Sequence, residues 1–430
     1  MNTSRPHQST ILTARNASLA ELVELLRTQH AAKLDVVAPA TDLHAQGGNL
    51  LVRGAGAPVL SMDGVSTGDA LLRPTDAAQA GIADKLDIPL AYLRRCRREQ
   101  VELYDANVNT WLAAARGRRF LVRGLTDTRS TDTRTTDTSS TDTGGGVLRG
   151  DELLGADRPD AGGGDGVGNS GGILRALLSD SFRIVDNLDV LLAVLAGIRD
   201  AGAAVDITAA DLSERRMWVK VRSREITAQA PQLLAHYTSP FTGARGADNP
   251  VVFGGFLISN SETGQGKFTI TPRLEVQVCE NGLVLNEHAL SEVHLGGRLP
   301  DGVIRWSADT ESTALALVGK KARDAVAAFL DPAFVNAQLT RIQRDAGVEV
   351  TNPAATLEHV GKTLRFPTEV AETLLAHFIR GGDTTSGGVL QAVTSTAQTL
   401  ADPDAAYQLE AHGLDAMSLA ARHAHHLARA

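Results

Sequence analysis

The sequence predicts an α+β fold in which a helix covers a central antiparallel β-sheet. Three observations predict it: three strand-like runs and a helix follow in β-β-β-α order, helical patterns fill the C-terminal third, and a Thr/Asp/Gly-rich tract interrupts the chain. The predicted organisation has three parts. These are a smaller mixed α/β N-terminal region with Arg-rich helices over 1–125, a disordered insertion over 126–172, and an α+β core with a helical C-terminal part over 173–430.

The central sheet is predicted from three runs that are rich in β-branched and aromatic residues and bounded by turn-forming residues. These runs are Arg215–Ile226, Val251–Asn260 and Lys267–Val278. Ser261–Gly266 supplies a flexible turn between the second and third runs. The sequence therefore predicts a hairpin between these two strands.

One face of this sheet is predicted to be basic, because side chains alternate across a strand. Met217, Val219 and Val221 point to the apolar side of the first strand. A basic face can follow a phosphate backbone while a tryptophan stacks on a base. The predicted nucleic-acid-binding residues on it are Arg216, Trp218, Lys220, Arg222, Arg224, Lys267 and Arg273. The alternative is an ordinary solvated sheet face.

The N-terminal region is predicted to contain capped helices and a second basic cluster. Ser18 and Glu21 form a capping box, Thr75 caps a helical stretch, and Pro89 begins a further helix. This helix, turn and Arg-rich second helix suggest a helix-turn-helix motif, a weak pattern without its three-dimensional frame. The alternative is a helical hairpin with a solvated basic surface. The predicted contacts here are Arg94, Arg95, Arg97 and Arg98.

Charge, apolar runs and cysteine content exclude several classes of protein. The chain has 430 residues and a net charge of −8, which argues against a globally basic DNA-coating protein and leaves room for a local basic patch. No apolar run approaches the ~20 residues that span a bilayer. The N-terminal residues lack the apolar segment of a signal peptide. Cys96 and Cys279 form no metal or redox motif, so we expect a reducing cytoplasm.

The insertion and the C-terminal third differ sharply in composition. Thr126–Gly172 repeats Thr-Asp and Gly with almost no large apolar content, so it cannot offset its chain entropy and is predicted to be disordered. Ser307 or Asp309 caps a helix that runs to Leu330 and is placed to cover the sheet. Further helices are predicted beyond Pro367, and they form a bundle beside the sheet.

No motif predicts a catalytic centre, a cofactor or a metal site. His423, His425 and His426 have no carboxylate or Cys to complete a ligand set, so they indicate a solvated tail. Asn286–His288 contains acid–base residue types, but adjacency in sequence shows no geometry. Thr263–Lys267 lacks the spacing of a phosphate-binding loop and is predicted to be a hairpin turn.

Several motifs resemble, in order, those of the phage/plasmid-like protein family, a domain of unknown function. The most distinctive is Cys279-x-Asn281-Gly282. The resemblance covers most of Gly64–Asp415 apart from the insertion, and it implies mobile-element ancestry and, loosely, DNA metabolism. The β-β-β-α order also looks like the core of single-strand-annealing recombinases, an analogy of topology alone. The segments that carry the family resemblance are Leu86–Leu112, Leu177–Asn187, Val276–Leu285, Ile304–Thr310 and Gly387–Gln398.

The leading hypothesis is a non-enzymatic, cytoplasmic protein of mobile-element origin that binds single-stranded DNA and assists annealing. One alternative is an enzyme acting on nucleotides or nucleic acid, with carboxylates and Mg²⁺ gathered near Asn281 or His288. Another is an interaction or inhibitor module, which a large apolar surface patch would favour. A homo-oligomer is compatible with this sequence.

Overall fold

The computed structural model describes residues 12–61, 64–126, 170–182, 184–292 and 307–427. In these residues the chain forms two large sheets, a separate hairpin and helices α1 to α13, which confirms the predicted α+β class. The predicted disordered insertion lies outside the described residues, apart from its first residue and its last three. The beginning of the Ile304–Thr310 segment lies outside them as well.

The central sheet is antiparallel throughout and contains the three predicted strands. Its order is β1-β10-β11-β12-β13-β14, and β15 also pairs with β13. Val219 lies opposite Ile258, which lies opposite Ile270, so the predicted hairpin at residues 261–266 is confirmed. The strands are β1 (Ala14–Ala17), β10 (Val205–Leu212), β11 (Met217–Gln229), β12 (Val251–Asn260), β13 (Phe268–Val276), β14 (Gly282–Val284) and β15 (Leu290–Glu292).

A second, mixed sheet is built mainly from the N-terminal region. Its order is β2-β8-β9-β7-β4-β3, with β7 and β9 parallel. Its strands are β2 (Lys33–Pro39), β3 (Leu43–Gln46), β4 (Asn49–Val52), β7 (Ala70–Pro74), β8 (Arg119–Thr126) and β9 (Ser170–Ser179). The separate hairpin consists of β5 (Pro58–Ser61) and β6 (Gly64–Thr67).

The chain crosses between the two sheets, so sheet membership does not follow the predicted region boundaries. β1 belongs to the N-terminal part of the chain but pairs with β10 of the central sheet. The predicted boundary at residue 173 falls inside β9, which pairs with β7 and β8. Strand pairing between distant segments leaves no local signal in a sequence, which is why composition placed the boundary elsewhere.

Local capping signals set the helix boundaries. The Ser18 hydroxyl accepts from the backbone of Glu21, and Thr75 and Ser307 cap their helices in the same way.

Within the described residues, no helix is long and apolar enough to cross a membrane. The helices are α1 (Leu19–Ala31), α2 (Asp76–Leu86), α3 (Leu90–Glu99), α4 (Val101–Ala114), α5 (Asn187–Asp200), α6 (Pro231–Leu234), α7 (Ala308–Phe329), α8 (Pro332–Ala346), α9 (Pro353–Leu364), α10 (Thr368–Gly381), α11 (Ser386–Thr399), α12 (Pro403–Ala411) and α13 (Gly413–Leu427).

The apolar face of the central sheet packs against α5 and α7, as the β-β-β-α order predicts. Val219 and Phe256 share one core with Val318 and Val326 of α7. Helices α5 and α7 cross closely at Gly197. A Cβ atom at this position would collide with the backbone carbonyl of Gly319. The covering helix is therefore confirmed.

The opposite face of the sheet is also covered, which the sequence did not predict. Trp218 and Leu257 of this face pack against Tyr407 of α12. α12 in turn contacts α11, a helix with twelve of its fourteen residues buried. The face expected to be open and basic is therefore largely an internal layer between the sheet and the C-terminal helices.

Candidate functional site

Trp218, the residue predicted to stack on a base, is buried beneath α12. It is 8% exposed, and its ring stacks on Tyr407 with the ring centroids 4.5 Å apart. Its indole Nε1 donates to the Asp404 carboxylate at 2.9 Å. The prediction that this ring is available to a nucleic acid is wrong, because the C-terminal helices occupy the space beside it.

Arg273 forms the centre of a buried ion-pair cluster on the same face. It is 2% exposed, and its Nε donates to Glu410 at 2.7 Å while Nη1 donates to Glu275. Burial alone would raise the pKa of Glu410, but the charges of Arg273 and Lys220 lower that pKa to about 2. Arg273 is therefore matched by carboxylates of this chain and is not presented to a phosphate backbone.

Lys220 and Arg222 lie at the edge of this cluster and are half-buried. The Lys220 ammonium is 3.5 Å from a Glu410 carboxylate oxygen and 5.0 Å from the centroid of the Tyr407 ring. Arg222 donates to Glu275 at 3.2 Å. Both cations thus pair with the acids that hold Arg273, so the prediction of a free basic face is wrong for them too.

Of the other three predicted sheet residues, Arg216 and Lys267 lie near the first residue of β11, and Arg224 lies apart from both. Arg216 donates twice to the backbone carbonyl of Gln265, and Arg224 is exposed but pairs with Asp206. Lys267 is exposed and immediately precedes β13. It lies near the first residue of β11, away from Arg224. The structure therefore does not bring these three cations together into one surface.

A cavity of about 320 Å³ lies beside the ion-pair cluster. Its wall combines residues from β1, β10, β11, β13, α11 and α12, which include segments distant in sequence. We call it the charged pocket because cations and carboxylates face it together. Its lining residues include Arg15, Lys220, Glu275, Glu280, Gln398 and Glu410.

The Cys279-x-Asn281-Gly282 motif packs against α11 next to the charged pocket. The buried Asn281 amide donates to the Gln391 side chain at 2.6 Å and accepts from the Gln398 amide at 2.6 Å. Burial raises the pKa of the Cys279 thiol to about 12, which suits an inert core residue. Two segments that carry the family resemblance, Val276–Leu285 and Gly387–Gln398, therefore meet in the fold.

Gly282 is needed for space rather than for a turn. The left-handed backbone conformation of this motif falls at Glu280, with φ of 58°. A Cβ atom at Gly282 would collide with the Glu410 carboxylate and the Arg273 guanidinium. The left-handed residue of this turn therefore precedes the Asn281-Gly282 pair, and the glycine leaves room for the buried ion pair.

The predicted arginine cluster on α3 is divided between the surface and the interior. The Arg95 and Arg98 side chains are 73% and 70% exposed, and each donates to Glu99 at 2.8 Å. Arg97 donates to the carbonyl of Gly48, and Arg94 lies 3.8 Å from Asp76. Only Arg95 and Arg98 of the four therefore present most of their side chain to solvent.

Exposed aromatic and apolar side chains accompany these two arginines, and sequence reasoning missed them. Tyr92 of α3 and Trp111 of α4 are 44% and 47% exposed, and Leu103 is also exposed. Asn107 links the two helices, because its amide lies 3.4 Å from the Tyr92 hydroxyl. Leu103, Asn107 and Trp111 are four residues apart and share a helix face. That spacing predicts a shared helix face, but it does not predict that the face is exposed.

We call this region the α3–α4 surface. A single residue, Gln100, separates α3 from α4, and Leu93 and Cys96 anchor α3 in the N-terminal core. α3 and α4 form a hairpin with a solvated outer surface, whereas the predicted helix-turn-helix motif and its hairpin alternative concerned α2 and α3. The α3–α4 surface consists of Tyr92, Arg95, Arg98, Leu103 and Trp111.

A second cavity, of about 380 Å³, lies near His288, where the enzyme alternative expected gathered acids. Glu287, Asp345 and Asp415 line it, and Glu287 pairs with Arg341. Across the described residues, however, no three His, Cys, Asp or Glu side chains are placed to hold a metal ion. The acids surround the cavity without forming a metal-ligand set.

Comparison with protein-family models, with curated proteins and with solved structures found no match to this chain. The resemblance to the phage/plasmid-like protein family stays a prediction that rests on the motifs quoted above. The functional argument depends on the geometry of the charged pocket and of the α3–α4 surface.

Proposed function

We propose that this protein binds single-stranded nucleic acid across the α3–α4 surface. The observation that carries the proposal is that Tyr92 and Trp111 are exposed on the same helical hairpin as the exposed Arg95 and Arg98. Proteins that bind single strands combine cations that follow the backbone with aromatic rings on which bases stack. The proposed ligand, single-stranded nucleic acid, is the one expected from the sequence. The proposed binding surface is now on α3 and α4 and no longer on the sheet face.

Local charge supports this proposal, although the chain as a whole carries a net charge of −8. Glu99 bridges Arg95 and Arg98, and hydrogen bonds from these two arginines lower its pKa. Glu102 is also exposed on this hairpin, but residues 94–123 contain eight arginines and three acids, which leaves a local excess of positive charge. Phosphate oxygens can accept from the same guanidinium groups, so we expect moderate affinity with a marked dependence on salt.

The first test is binding of labelled single- and double-stranded oligonucleotides over a salt series, measured by fluorescence anisotropy. We expect tighter binding to single strands. Arg95→Ala combined with Arg98→Ala should weaken binding and reduce the slope of log K against log salt by about 1.4, because each phosphate contact contributes ~0.7 on single strands. Absence of binding at low salt would refute the proposal. If binding is found, annealing of complementary strands is the next measurement.

A matched control removes two exposed arginines elsewhere. Arg199 and Arg344 are 79% and 72% exposed and pair with the aspartates that follow them, much as Arg95 and Arg98 pair with Glu99. Arg199→Ala combined with Arg344→Ala changes the net charge equally. We expect this control to retain the affinity and salt slope of the unaltered protein, since its arginines lie on other helices.

The aromatic side chains give an independent test. Tyr92→Ala combined with Trp111→Ala should weaken single-strand binding by roughly 1–3 kcal/mol for each stacked base, with the salt slope nearly unchanged. Molecular mass would be measured by light scattering in parallel. If affinity stays the same and the variant loses self-association instead, the α3–α4 surface joins copies of this chain and the nucleic-acid proposal is overturned.

A further inference from the structure

We propose that the charged pocket binds a small zwitterion of the α-amino-acid type, with its carboxylate at Lys220 and its ammonium at Glu280. This inference is independent of nucleic-acid binding, because the pocket and the α3–α4 surface share no residue. It rests on which lining groups retain hydrogen-bonding capacity, on the size of the cavity and on its mixed charge.

Of the lining cations, Lys220 has the longest ion pair, at 3.5 Å, whereas Arg15 and Arg273 have ion pairs of 2.7 Å or shorter. Arg273 uses Nε, Nη1 and Nη2, and Arg15 donates to Asp211 at 2.7 Å and to the Leu400 carbonyl at 3.2 Å. A lysine ammonium has three N–H donors, and Lys220 has one carboxylate oxygen at 3.5 Å. The Tyr407 ring, 5.0 Å away, also holds the ammonium at the wall. A ligand carboxylate can therefore accept from Lys220.

Acceptors for a ligand ammonium also line the pocket. Glu280 is exposed, and its carboxylate has no hydrogen bond or ion pair to another described residue. The Gln398 amide nitrogen donates to the Cys279 carbonyl at 3.0 Å and to Asn281 at 2.6 Å. Both of its N–H groups are thereby used, which leaves the Gln398 carbonyl oxygen as an acceptor.

The volume and charge of the pocket favour a small zwitterion over a nucleotide. A cavity of about 320 Å³ is near the lower limit of ordinary ligand pockets. Glu275, Glu280 and Glu410 face it together with Arg15, Lys220 and Arg273, so the charges of these six side chains balance and do not favour a polyphosphate. The Tyr407 ring already stacks on Trp218, so it is not free to receive a nucleobase. A molecule with one carboxylate and one ammonium matches both signs of charge.

The test is isothermal titration of the full chain, without nucleic acid, against the twenty free α-amino acids, with acetate and methylamine as single-charge probes. We expect saturable one-to-one binding of at least one amino acid and no binding of either probe at the same concentration. Lys220→Met and Glu280→Gln should each weaken that binding at least tenfold. Lys362→Met and Glu225→Gln, both at exposed positions outside the pocket, should leave it unchanged.

Two results would overturn the inference. One is an absence of amino-acid binding at millimolar concentration. The other is that acetate binds as tightly as the amino acid and that Glu280→Gln does not weaken the binding of acetate. This result would show that the pocket binds anions only. Glu280 is at the surface, so its variant is expected to fold even if Lys220→Met does not. Either failure leaves the nucleic-acid proposal standing, because that proposal is measured on a different surface.

Discussion

At the scale of single residues, the charges on the sheet face have a mainly structural role. Arg273 is 2% exposed, and an unpaired charge in such a place would cost several kcal/mol. Glu275, on the same strand, and Glu410, 137 residues from Arg273, offset that cost. The cluster therefore fastens α12 to the sheet.

Replacing Glu410 should make stability depend less on pH. The pKa of Glu410 falls from 4.5 to about 2 on folding, so its stabilisation is complete above pH 4.5 and is lost as pH falls towards 2. We expect Glu410→Gln to lower the free energy of unfolding at pH 7 by about 3 kcal/mol. The difference from the unaltered protein should shrink in urea titrations between pH 4.5 and 2.

The control for this measurement is Glu225→Gln, which alters an exposed acid outside the cluster and should follow the unaltered protein. A stability difference for Glu410→Gln that stays constant across this pH range would contradict the electrostatic role assigned to Glu410.

Gly282→Ala should destabilise the protein by about 3 kcal/mol, because its methyl group would displace the Arg273–Glu410 pair. Gly347→Ala is the matched control, since a Cβ atom there meets nothing within 4 Å. Chemical denaturation measures both variants. Equal stability of the two would show that the ion pair can shift at little cost.

At the scale of elements, α12 determines the role of the sheet face. Asp404, Tyr407 and Glu410 recur every three residues and so lie along one side of this helix. Asp404 accepts from Trp218, Tyr407 donates to Asp211 at 2.8 Å, and Glu410 accepts from Arg273. One short helix thus binds residues of β10, β11 and β13.

Lys220→Ala combined with Arg222→Ala should therefore reduce stability without changing nucleic-acid binding. The two cations pair with Glu410 and Glu275, so their loss leaves two largely buried carboxylates with fewer partners. Anisotropy with single-stranded DNA and thermal unfolding would be measured on the same preparation. Weaker binding with a flatter salt dependence would restore the sheet face as the nucleic-acid contact.

At the scale of the whole molecule, a second buried ion network joins the two sheets. Arg123 of β8 is 2% exposed and donates to Asp186 at 2.6 Å, before α5, and to the Glu262 carbonyl at 2.8 Å, after β12. Glu262 also pairs with Arg175 of β9. This network joins the two sheets, as does β1, which crosses to the central sheet, and we expect the two sheets to unfold together.

Arg123→Met should lower the free energy of unfolding by about 3–5 kcal/mol, because it leaves buried carboxylates unpaired. Arg119→Met, at an exposed position on the same strand, should change stability by less than about 0.5 kcal/mol. Calorimetry would also show whether the unaltered protein unfolds in one transition, as coupled sheets require. Two separate transitions would contradict the coupling.

The sequence by itself determined the local structure of this protein. Ser18, Thr75 and Ser307 begin helices where predicted, and residues 261–266 turn between two strands, because capping and turn formation depend on neighbouring residues. The α+β class follows from the same local signals. The alternation that assigned Trp218 and Arg273 to one sheet face was also correct.

Only the tertiary structure decided what that face contacts. Alternation identifies the side of a strand on which a residue lies, but it does not say whether water or a helix lies beyond it. The partners of Trp218 and Arg273 are 186 and 137 residues away, and no local pattern encodes those contacts. The same limit hid the exposed Tyr92 and Trp111, since only the packed fold shows which aromatic side chains remain outside the core.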